Sequence, residues 1–225
     1  MCGSAHSRER TVTHASLTII RHEHRALSAM LNSILLLLGD HRRRGTLPDF
    51  DALRAMLFYV DEFPEKLHHP KESRLLFPKL RGHGEHSDAM LDRLDRDHAR
   101  GEHCIRGIQH ALLAFEMMGD GDQREARRAT FETAMNLYVR FYVEHMRIEE
   151  AEVLPLAEAV LGADDWAELD GAFLTNCDPL TGCDAVAAYT PLFKKILAAL
   201  PESGGVSSAL EALAGASTPA YLWPR

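Results

Sequence analysis

Through most of the first 160 residues, apolar positions recur in steps of three and four. That period belongs to helices that bury one face. In residues 13–38, Leu17, Ile20, Leu27, Leu31, Ile34 and Leu38 fall on a single stripe, and Gly39-Asp40 reads as its stop. A polar loop over 41–49 follows. The second helix opens at Asp49 or Asp51, either of which can accept from the first free amides. It carries Leu53, Leu57, Val60 and Leu67 as far as Phe77. Pro64 and Pro70 fall inside it; each lacks an amide and crowds the preceding turn, so the sequence alone splits this helix at Pro70.

A third helix is predicted over 87–118, with Met90, Leu91, Leu94, Ile105, Ile108, Leu112 and Phe115 on its stripe. A fourth spans 123–161, with Phe131, Ala134, Tyr138, Phe141 and Ile148. Alternating β-branched runs and Asn-Gly turns are absent there. Four long amphipathic helices with short links predict an all-α, up-down-up-down four-helix bundle over 13–161. Residues 162–225 read as a C-terminal helical extension: a short helix over 165–173, an irregular stretch, a helix over 185–200 and a weakly patterned tail.

Polar residues on the apolar stripes change this picture. His24 lies four and seven positions from Ile20 and Leu17, inside the stripe of the first helix, whereas His22 is turned about 200° away. On the second helix the stripe runs into His68 and Glu72, on the third into His98 and Glu102, and on the fourth into His145 and Glu149. Glu152 lies one step beyond. One His-x-x-x-Glu pair is ordinary on a solvated helix. Three pairs on buried stripes, joined by His24, are not, because an ionised carboxylate is almost never buried without a partner.

A cation between them supplies that partner. Residues four apart present ligand atoms to the same space, and seven donors exceed one tetrahedral zinc. The set His24, His68, Glu72, His98, Glu102, His145 and Glu149 suits two ions sharing bridging carboxylates, and the imidazole–carboxylate mixture suits iron or manganese. His22 and His69 adjoin candidate ligands, close enough to support them. His6, His14, His41, His83, His86, His103 and His110 fit no pair and read as surface residues. A ferritin-like arrangement would use Glu65 and His68, but it leaves His24, Glu72 and His145 without a role.

The ordered set of His24, HHPKE (68–72), His98 and HMRIEEAEVLP (145–155) resembles the hemerythrin-like HHE cation-binding family. The resemblance covers about 13–161 and implies a four-helix bundle with a non-haem diiron centre. It implies His24, His68, His98 and His145 as imidazole ligands, with Glu72 and Glu149 bridging two iron ions that an oxo group also links. It also implies that helix two continues through HHPKE. Oxygen-carrying members have a second histidine where this chain has Glu102, and an aspartate five residues after the last ligand histidine where Glu149 stands at four. A carboxylate at 102 would favour the ferric state and close the position that O₂ needs.

Composition narrows the function further. The chain of 225 residues has 33 acidic and 25 basic side chains, a net charge of −8, which argues against a nucleic-acid partner. The longest apolar run is too short to span a bilayer. Four scattered cysteines and no apolar leader suit a cytoplasmic location, and nothing indicates a homo-oligomer. Phosphate loops, nucleophile elbows and dinucleotide fingerprints are absent. The expectation is a diiron-binding protein that senses or binds O₂, NO, peroxide or iron; the alternative is a diiron enzyme of peroxide-consuming or oxidase-like activity.

Overall fold

The computed structural model describes residues 14–117 and 121–175, with Asp178, Leu180, Leu192, Lys195, Ile196 and Ala198 beyond them. Most of these residues fall in five helical rods, and no strand occurs among the described residues. They are α1 (Ala15–Arg44), α2 (50–80), α3 (Glu85–Met117), α4 (122–160) and α5 (Ala163–Leu174). Among the described residues, no helix is long and apolar enough to cross a membrane.

α1 runs past the expected stop at Gly39-Asp40. A glycine inside a helix costs only about 1 kcal/mol, whereas Gly45 adopts φ 64° and ends the helix. There the amides of Gly45 and Thr46 turn back to Arg42 and His41, as left-handed helix ends do. His41, Arg42, Arg43 and Arg44 fill the last turn, where cations complement the helix dipole. Asp49 caps α2, its carboxylate accepting from the Ala52 amide at 3.0 Å.

The expected break at Pro70 does not occur. α2 stays continuous by widening: Asp61–His68 and Glu72–Leu76 are π-helical, separated by His69–Lys71 and followed by Phe77–Leu80. α4 does the same at Glu149–Val153. The amides of His69, Phe77 and Leu154 reach back five residues, to the carbonyls of Pro64, Glu72 and Glu149. Each π segment ends two residues before a proline, namely Pro70, Pro78 or Pro155. A proline ring strikes the carbonyl four residues back in an α-helix. Those carbonyls belong to Lys66, Arg74 and Ala151, all inside the widened turns.

Two apolar clusters lie at the two ends of the bundle, with the polar stripe residues between them. The larger joins Leu27, Leu31, Ile34, Leu53, Leu57, Ile105, Leu112, Phe115, Phe131 and Tyr138, and it takes in Leu180 and Ile196. The smaller joins Leu17, Ile20, Phe77, Leu91, Leu94, Val153 and Leu154 to Trp166, Leu169 and Phe173 of α5. α5 thus packs on α1, where Asp170 accepts from the Ser16 amide at 2.8 Å and its hydroxyl at 2.6 Å. His14, expected on the surface, stacks on Trp166 at 3.9 Å. The helix expected over 185–200 falls mostly outside the described residues.

Candidate metal centre

Six of the seven candidate ligands converge between the apolar clusters: His24 on α1, His68 and Glu72 on α2, His98 on α3, and His145 and Glu149 on α4. Glu72 and Glu149 are 0% and 1% exposed, so water cannot solvate their charge. Each carboxylate divides its oxygens between two groups of histidines. Glu72 Oε1 lies 3.2 Å from His68 Nε2, and its Oε2 lies 3.5 Å from His98 Nε2. Glu149 Oε2 lies 3.2 Å from His24 Nε2, while its Oε1 lies 3.1 Å from His145 Nε2 and 3.6 Å from His98 Nε2. The His98 and His145 Nε2 atoms stand 3.0 Å apart.

These spacings suit coordination. Two ligands at right angles, each about 2.1 Å from one ion, stand about 3.0 Å apart. All four oxygens of Glu72 and Glu149, with Nε2 of His24 and His68, are buried without a hydrogen-bond partner. Buried polar atoms are rarely left so, and a group of them aimed at one space points to an ion.

The outer nitrogen of four of these five imidazoles has a hydrogen-bond partner. His24 Nδ1 donates to Glu150 at 3.0 Å, His68 Nδ1 to Glu23 at 2.6 Å, and His69 Nδ1 to Glu65 at 3.1 Å. Ser73 Oγ lies 2.8 Å from His98 Nδ1, whereas His145 Nδ1 makes no hydrogen bond, with the Asp97 carboxylate 3.8 Å away. Those four bonds fix the ring orientations and leave Nε2 free for a metal.

Glu102 is not part of this cluster. Its side chain is 52% exposed and accepts from Arg106 at 2.8 Å. The buried stripe of α3 steps from His98 by three to Gly101 and then by four to Ile105, which turns position 102 to solvent. The expected carboxylate closing a coordination position therefore has no counterpart, and the ferric preference drawn from it falls away. A third imidazole stands in that neighbourhood instead. His69, 3% exposed, offers a ligand atom within 4.8 Å of those of His98 and His145. Its ring stacks on His98 at 4.3 Å and on Tyr142 at 5.3 Å. His69 follows Glu65 and precedes Glu72 at helical spacing, a signal present in the sequence. His22 is half-buried and outside the cluster, and Glu152 pairs with His86 instead.

Charge within the site follows from burial. Burial pushes the Glu65 carboxyl up to about 7, although Tyr138 and Tyr142 each donate a hydroxyl to its Oε1 at 2.6 Å. Burial opposes protonation of His145, yet Glu149 outweighs it and holds the imidazole at about 10. Burial likewise opposes His68, and Glu72 with Glu23 overcomes it and keeps the imidazole well above its usual range. Burial and the neighbouring His98 push His69 well below it. Protons and metal cations thus compete for the same nitrogens.

The sequence model of the hemerythrin HHE cation-binding domain matches residues 15–157. The chain belongs to the hemerythrin HHE family. No curated protein and no solved structure matches it. The match spans every residue of the converging cluster and ends before α5, so the candidate metal ligands all lie within the family region. A hemerythrin-type domain binds cations, typically iron, and the imidazole–carboxylate donors here suit that ion.

Proposed function

We propose that this hemerythrin-family chain holds two iron ions and uses them to bind or sense a small ligand such as O₂, NO or peroxide. His24 and His68 would hold one ion and His98, His145 and His69 the other, with Glu72 and Glu149 within reach of both. The observation that carries this reading is the division of each bridging carboxylate, one oxygen toward each histidine group. Manganese is the other ion the donors suit.

Bound iron supplies one-electron redox chemistry and a coordination position that a small ligand can enter. The chain's own residues do the rest. Glu150, Glu23 and Glu65 fix the rings of His24, His68 and His69 so that Nε2 points inward. The cavity beside His24 and His68, lined also by Leu27, Phe63 and Pro64, has room for about one water molecule, which limits a ligand to a few atoms. Tyr138 and Tyr142 hold their hydroxyl protons on Glu65, against His69. A cytoplasmic location and a small-molecule partner complete the proposal.

Metal analysis of the purified, iron-reconstituted protein tests it, together with its visible spectrum before and after addition of NO to the ferrous form. Two irons per chain and an NO-dependent spectral change are expected. One zinc per chain, with neither iron nor manganese taken up, overturns the reading.

A further inference from the structure

Asp178 lies outside the family match, which ends at residue 157, yet it reaches the metal centre. Its backbone amide donates to Glu23 Oε1 at 2.8 Å, and Glu23 Oε2 accepts from His68 Nδ1 at 2.6 Å. The Asp178 carboxyl is itself anchored: the Tyr59 hydroxyl donates to one oxygen and the Leu180 amide to the other, the latter at 2.8 Å. Tyr59, Asp178 and Glu23 are 0%, 4% and 6% exposed, so this chain of bonds runs through nearly dry surroundings. Hydrogen bonds there are electrostatically stronger than in water.

We propose that Asp178 is a positioning residue: a clasp from beyond the family domain that fixes Glu23 against His68 and so steadies the ion held by His24 and His68. The inference rests on the two-metal reading above. An imidazole ligand turns about its bond to the chain unless its second nitrogen is held, and a carboxylate in that role also raises its basicity. Glu23 has two oxygens to satisfy in a buried site. The Asp178 amide takes one, which leaves the other aimed at His68. The clasp does not touch His98 or His145, whose Nδ1 atoms face Ser73 and Asp97. The two ions are therefore supported differently, and loss of the clasp affects one of them. Asp178 also lines the cavity beside His24 and His68, so the same residue bounds the space a ligand would use.

The test loads the full chain with ferrous iron in the absence of air and follows release into excess ferrous chelator. Asp178→Ala should speed release of one iron of the two about tenfold, the low end of the effect seen when a ligand's supporting partner is lost. The second iron should leave at the unmodified rate. Tyr59→Phe removes a single hydroxyl and should move the same phase in the same direction by less, which keeps the test alive if Asp178→Ala fails to fold. Glu102→Gln, on the solvent face of α3, should change neither phase. With cobalt(II) in place of iron, the visible bands of one site should shift in Asp178→Ala. Two phases unchanged in both clasp variants overturn the clasp, as does equal acceleration of both. If the unmodified protein holds fewer than two irons, the two-metal reading fails first and the clasp falls with it.

Discussion

Gly101 and Tyr142 share one small space. A Cβ at position 101 would overlap the Tyr142 hydroxyl oxygen, and would stand 2.9 Å from Glu65 Oε1. The glycine exists in mid-helix because the phenol and the carboxylate meet against its bare Cα. Gly101→Ala should therefore destabilise the protein by about 1–3 kcal/mol through overpacking, despite a gain of about 1 kcal/mol in helix propensity. Thermal unfolding measures this, and Tyr142→Phe in the same chain should recover part of the loss. A more stable Gly101→Ala protein would show that the space is not shared.

Metal removal should lower stability without unfolding the helices. Ions that bind only the folded chain stabilise it by about 2.7 kcal/mol at a hundredfold excess over the dissociation constant. Denaturant titrations of iron-loaded and chelator-treated protein should differ by at least that much. Equal midpoints would contradict a metal seated among buried carboxylates.

His24 and His22 should behave oppositely. His24→Ala should reduce iron content toward one per chain, since its Nε2 faces Glu149 at 3.2 Å. His22 is half-buried away from the cluster, and His22→Ala should leave iron content intact. Elemental analysis of the two variants decides, and the reverse pattern would sink the assignment.

His69 and Glu102 supply the sharpest contrast. His69→Ala should weaken one iron about tenfold to a hundredfold, as loss of a ligand or its close support does. Glu102→Ala should leave both affinities within error, because its carboxylate faces solvent and pairs with Arg106. Anaerobic iron titrations of both variants would expose an exchange of roles.

α5 should contribute measurably to the bundle. Asp170 accepts from both the amide and the hydroxyl of Ser16 at the start of α1. Asp170→Ala leaves that first turn without its cap and should cost about 0.5–2 kcal/mol. An unchanged melting temperature would mean that water replaces the carboxylate fully.

Periodicity carries much of this structure, because a stripe of buried positions is a local property of the chain. His24, His68, Glu72, His98, His145 and Glu149 all lie where three-and-four spacing places the inward face. Glu102 shows where the rule fails. From His98, steps of three and of four are both helical, and only packing against Tyr142 and Glu65 selects Gly101. The continuity of α2 was hidden for a different reason: proline is incompatible with an α-turn but not with the wider π-turn that precedes it. Glu23 and Asp178 meet across 155 positions of chain, a contact that no local spacing encodes.

The prolines after the π segments carry one last consequence. In α2 and α4, the clash of a proline ring rather than a bound ion accounts for each widened turn, so the wide turn should persist whether or not a metal is present. His68, Glu72 and Glu149 keep their stations on the backbone while side chains relax. Proline thus favours a cradle formed before loading, and metal uptake should need no rebuilding of these helices.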